Sequence, residues 1–189
     1  MKKIALLTVM FLLSGCFFGS TNQSRFYQLQ VADANVKVVS NRRLDIGVEE
    51  AFVPKYLDRP QIVTAEEGTA ELKVSEFNRW AEPLSSSFSR VLADDISLYL
   101  PKSVVKFKTL SSESFVYTVT IEINNWSAVL GKKMETDVWW TVYKNGDVIY
   151  RQRSKQSADL GSDFESLTEV QSKLINELAL QIAQKLAKL

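Results

Sequence analysis

The chain has 189 residues, with 23 basic and 22 acidic side chains, a formal charge of +1, no histidine and one cysteine. Mixed, nearly balanced charge argues against a nucleic-acid surface, which needs a concentrated basic face. The missing histidine and the lone thiol exclude Ser-His-Asp and Cys-His catalysis within this chain and zinc sites of the usual Cys and His type.

The first element is a leader. Lys2 and Lys3 precede an apolar run from Ile4 to Leu13, closed by Leu13-Ser14-Gly15-Cys16. A charged start, a short apolar core and small residues at a cleavage point describe a secretory signal peptide. The run is shorter than the roughly 20 residues a membrane-spanning helix needs. The tetrapeptide looks like a bacterial lipobox, cut before a cysteine that then carries acyl chains such as palmitate. Acylation also explains a single unpaired thiol in an exported chain. The expected organisation is a signal peptide over 1–15, a lipidated tether over 16–25 and one domain over 26–189. Cys16 is the expected lipidation site; two or more acyl chains hold a protein stably where one holds it marginally. Phe17 follows Cys16, where an inner-membrane retention signal would place Asp. The expected location is therefore the outer membrane, with the body of the protein facing the periplasm. Phe17 and Phe18 are candidates for the lipid interface.

Beyond the tether, Phe26–Val31 reads as a first strand. Arg43–Val53 alternates Leu44, Ile46 and Val48, a period-2 pattern that Pro54 ends. Residues 61–77, with a turn at Glu66-Glu67-Gly68, read as a hairpin. Pro83 opens a helix whose apolar face is Leu84, Phe88, Val91, Leu92, Ile96, Tyr99 and Leu100, and Pro101 stops it. Ser103–Phe107 is a short strand. Phe115, Tyr117, Val119, Ile121 and Ile123 alternate strictly, Met134–Tyr143 and Val148–Arg153 follow as strands, and Asn145-Gly146 is a tight-turn signal between the last two. These three predict an antiparallel meander. A final helix over 163–188 carries a leucine-rich stripe, with Ser162 and Glu165 placed for a capping box. The whole predicts an α/β domain, a mixed sheet with two main helices packed on it. A helix of about 26 residues is about 39 Å long. Its last turns, at Ile182, Leu186 and Leu189, are expected to project and to serve as an oligomer contact.

Two segments carry a family resemblance: Tyr56-Leu57-Asp58-Arg59-Pro60-Gln61-Ile62-Val63 and Asn78-Arg79-Trp80-Ala81-Glu82-Pro83-Leu84. With Phe26-Tyr27-Gln28-Leu29 behind a lipobox, they resemble the PqiC/YmbA family of ABC-type transport auxiliary lipoproteins. The resemblance implies an outer-membrane lipoprotein working with a membrane-spanning MCE-domain protein in lipid traffic and envelope integrity. With no histidine, one thiol assigned to lipidation and no phosphate loop, no catalytic residue, metal or cofactor is expected.

Aromatic and arginine side chains on stiff loops are common interface anchors. Tyr56, Leu57, Arg59 and Trp80 are accordingly the candidate partner-binding residues, with a core role open for Trp80. Trp139 and Trp140 are neighbours on a strand and must face opposite sides, one of them into the core. A lipid-guiding role would require several copies, and a symmetric ring is the expected form. Two other classes stay open. One is a different structural outer-membrane lipoprotein, such as a pilotin or an assembly accessory. The other is an envelope hydrolase using a carboxylate pair, although Glu49-Glu50, Glu66-Glu67 and Asp94-Asp95 read more plainly as solvated charge.

Overall fold

The computed structural model describes residues 22–109 and 112–189. Cys16, Phe17 and Phe18 lie outside the described residues. Among the described residues, eight strands and two helices follow in order: β1 (Arg25–Tyr27), β2 (Asp45–Val48), β3 (Gln61–Ala65), β4 (Leu72–Trp80), α1 (Leu84–Tyr99), β5 (Val104–Phe107), β6 (Tyr117–Val129), β7 (Lys133–Lys144), β8 (Asp147–Asp159) and α2 (Phe164–Leu186). The expected α/β class holds, but the strands divide into two sheets. One has three strands in the order β1-β4-β3; the other has five, in the order β5-β2-β6-β7-β8.

The five-stranded sheet is mixed. β2 runs parallel to both β5 and β6, and β6, β7 and β8 form the antiparallel meander. Asn145 and Gly146, both at positive φ (50° and 93°), close the β7–β8 hairpin. That geometry requires left-handed backbone at both central positions, which asparagine and glycine tolerate best. On β6 and β7, Tyr117, Val119, Ile121, Ile123, Met134, Val138, Trp140 and Val142 point inward and are buried. The helices lie side by side on this face, α1 over β2 and β5 and α2 over β7 and β8. Their stripes complete the core: Phe88, Val91, Leu92 and Ile96 from α1, and Leu167, Leu174, Ile175, Leu178, Ala179, Ile182, Ala183 and Leu186 from α2. Phe88 meets Trp126 edge-on at 5.4 Å.

Three local expectations change. The cap of α2 is Asp163, whose carboxylate accepts the Ser166 N–H at 2.7 Å, so Ser162 and Glu165 do not form the box. The Arg43–Val53 strand is only Asp45–Val48, because the chain then leaves the sheet and returns as one bridge at Phe52. Nor does α2 project. Ile182 and Leu186 are fully buried and have no side-chain surface to offer another copy, whereas Leu189 is half-buried against the core. The sheet is long enough to cover the helix. β8 has 13 residues and α2 has 23, about 43 Å of strand against about 35 Å of helix. Among the described residues no helix is long and apolar enough to cross a membrane.

Candidate functional site: a clamped loop beside an open sheet face

The segment from Glu49 to Pro60 leaves β2 and lies across the N-terminus of α1. Pro83 occupies the cap position of α1 and supplies no side-chain hydrogen bond. A helix start leaves its first N–H groups without intrahelical partners and carries partial positive charge. The preceding segment provides what Pro83 does not. The Asp58 carboxylate accepts the Ser85 N–H at 3.0 Å and the Ser85 hydroxyl at 3.2 Å. Glu50 accepts the hydroxyls of Ser85 at 2.9 Å and Ser86 at 2.6 Å. The Ala51 N–H donates to Ser89 Oγ at 2.8 Å. Two carboxylates thus sit where the helix end favours negative charge.

The loop from Pro54 to Pro60 is closed by its own backbone. The N–H groups of Leu57 and Asp58 donate to the Pro54 carbonyl, and the Trp80 N–H donates to that of Pro60 at 2.7 Å. Leu57 and Trp80 are core residues, exposed by only 5% and 6%. They anchor the loop from inside and offer no side-chain surface on the folded chain. Tyr56 is 44% exposed. Arg59 is half-buried, with its Nε donating to Gln61 Oε1 at 3.2 Å. Of the four candidate partner-binding residues, two are core, Tyr56 is exposed and Arg59 is half-buried.

Glu49, Glu50 and Phe52 of the same segment border the side of the five-stranded sheet that the helices leave uncovered. There they line an open groove with Thr120, Glu122, Trp139, Thr141, Tyr143 and Arg151. Phe52 is 69% exposed. Strand alternation separates the tryptophan pair. Trp140 is buried and donates its Nε1–H to Ser154 Oγ at 3.0 Å, whereas Trp139 stands half-exposed in the groove. The guanidinium groups of Arg151 and Arg153 lie 4.7 and 5.8 Å from the Trp139 ring centroid, within cation–π range. Arg151 also pairs with Glu122, and Arg153 grips Asp137 through two nitrogens. Asp137 is held below the usual carboxylate range, chiefly by that Arg153 hydrogen bond. Glu49 is paired with Lys108 at 3.1 Å.

Each groove carboxylate therefore has a cation or hydroxyl partner, and the aromatic platform is flanked by guanidinium groups. Among the described residues no cluster of three or more potential metal ligands forms. What the arrangement offers is a wide, shallow surface of aromatic rings and ordered charge, suited to recognising another macromolecule. The sequence marked Trp139 as one half of an alternating pair. The groove itself is assembled from segments 49–52, 120–122, 139–143 and 151, which no local pattern connects.

The chain matches the family described as ABC-type transport auxiliary lipoprotein component over residues 27–183. Among the solved structures it matches, two illustrate its fold. One, described as an uncharacterized protein, aligns with a TM-score of 0.70 at 20% identity, covering 87% of this chain and 99% of its own. The other, from Xanthomonas campestris, belongs to a domain family without an assigned function. It aligns with a TM-score of 0.66 at 12% identity, covering 87% of this chain and 93% of its own. No curated protein matches the chain.

Proposed function

We propose, from the premise that this chain belongs to the family of ABC-type transport auxiliary lipoprotein components, that it is a non-catalytic docking subunit held in the outer membrane through Cys16. Its folded domain faces the periplasm and engages an MCE-domain membrane protein of a transenvelope lipid-transport system that maintains envelope integrity. The observation that carries this reading is the family match over 27–183, directly behind a lipobox. The loop at Tyr56 and Arg59 supports it. Two carboxylates, two backbone turns and two buried side chains immobilise a segment that still turns a tyrosine outward, and a rigid anchor loses little entropy on binding. Copies of the chain assemble as a ring in this reading, through surfaces other than the buried end of α2.

The test is crosslinking of the acylated protein in native membranes, detergent extraction and mass spectrometry of what it carries. Recovery of an MCE-domain protein is the expected result. Recovery of a secretin or an outer-membrane assembly barrel in its place would move the protein to a different structural role.

A further inference from the structure

Seventeen residues, 28–44, join β1 to β2 without forming a helix or strand. A loop of that length inside a compact domain is uncommon and usually has a function of its own. This one crosses the helix pair and is sewn to it at few points. The Gln30 N–H donates to Ser172 Oγ on α2 at 3.0 Å, the Ala32 N–H to Asp95 Oδ1 on α1 at 2.8 Å, and the Val39 N–H to the Tyr99 carbonyl at 2.9 Å. From Gln30 to Val38 none of its side chains is buried. The group that holds Ala32 is itself under strain from burial. Asp95 is 0% exposed, and its second oxygen, Oδ2, has no hydrogen-bond partner among the described residues. Nor does a cation pair with it there. Asp94 adjoins it on α1, with Tyr99 one turn on; α2 brings Asn176 and Glu177 to the same seam; the loop's own charges, Asp33 and Lys37, are exposed. A carboxylate shut from water with no countercharge destabilises whatever closes over it.

We infer that residues 30–38 form a releasable strap pinned by Asp95, and that ionisation of this carboxyl loosens the strap from the seam between α1 and α2. The strap in place keeps Asp95 from water, and that burial pushes the carboxyl up to about 6. With the strap released, the carboxyl is hydrated and returns to an ordinary value near 4. The closed form thus holds the proton more tightly than the open one. Opening therefore becomes easier as pH rises from about 4 to about 6, and then levels off. The link between β1 and the helix pair tightens in acid and loosens near neutrality, while the core stays folded.

The test is hydrogen exchange of the mature chain in detergent, read by mass spectrometry at pH 5 and pH 7.5 and corrected for the intrinsic pH dependence of amide exchange. Peptides over 28–38 report the strap, and peptides over β6 report the core. At both pH values the strap is expected to exchange at least about tenfold faster than β6, as a locally opening segment does. Its corrected rate is expected to rise about tenfold between pH 5 and pH 7.5. Asp95→Asn keeps the acceptor for Ala32 and is expected to abolish that rise. Ser172→Ala removes the anchor at Gln30 and leaves the carboxyl intact; it is expected to speed strap exchange at both pH values and to keep the rise. A strap that exchanges only as fast as β6 opens with the whole molecule, which overturns the inference. A missing rise in the parent, a rise that survives Asp95→Asn, or strap rates unchanged by Ser172→Ala overturns it as well.

Discussion

Asp95 is fully buried, on the face of α1 that meets α2. Its Oδ1 accepts the Ala32 N–H at 2.8 Å, tying the segment after β1 to the helix. Asn176 and Tyr99 lie beside it, joined to each other by the Tyr99 hydroxyl donating to Asn176 Oδ1 at 2.8 Å. Burial pushes the Asp95 carboxyl up to about 6, against the opposing hydrogen bond from the Ala32 N–H and the nearby Asn176 amide. The protonated form is therefore the one the fold prefers. Its contribution to stability is complete below about pH 4 and is lost as pH rises through about 6, a change of roughly 2–3 kcal/mol. Asp95→Asn keeps the acceptor for Ala32 and removes the titration. It is expected to raise stability at pH 7 by about 1–2 kcal/mol and to flatten this part of the profile, as denaturant titrations between pH 4 and 7 will report. A variant with an unchanged pH slope would show that Asp95 is not the titrating group.

At the scale of elements, the loop and α1 depend on each other. Asp58→Ala removes the remote cap of the Ser85 N–H and is expected to cost about 1–2 kcal/mol, read as a lower midpoint in urea. The two helices hold the core together. Leu92 and Leu178 are at most 1% exposed. Replacing either by Asp buries an unpaired carboxylate at a cost of several kcal/mol, a large part of a total of about 5–15. Both variants are expected to lose cooperative thermal unfolding, and a normal melt in either would contradict the packing described. The helices were legible in sequence to within a residue or two, because a continuous apolar stripe over many turns has one reading. Strands were legible only where alternation held. β6 changes register between Ile123 and Asn125, so the inward positions pass from odd to even at Trp126, and the strand's second half is hidden. Residues 154–159 of β8 are mostly polar because this strand is an edge of its sheet, which leaves little periodic signal. The division into two sheets depends on whether β4 pairs with β1 and β3 or with β2, and pairing partners leave no local trace. In the loop, adjacent apolar and aromatic residues part company, Leu57 facing inward and Tyr56 out, while Trp80 at the end of β4 takes the core role left open for it.

Across the whole molecule, the proposed lipid attachment at Cys16 leads into one α/β domain. Cys16→Ala is expected to release the protein from membranes into the soluble periplasmic fraction, because a few exposed aromatic side chains hold a domain only weakly without acyl chains. Continued sedimentation with the outer membrane after a high-salt wash would mean that something other than the acyl chains holds it. The central claim is that this protein acts by docking rather than by turnover, through the clamped loop. Its most direct measurement is capture of the MCE-domain partner by the acylated protein and by Tyr56→Ala, Arg59→Ala, with thermal melts of both run in parallel. Both side chains lie outside the core, so the predicted result is a nearly unchanged melting temperature with capture reduced at least tenfold. Undiminished capture by a double variant that melts like the parent would contradict the account.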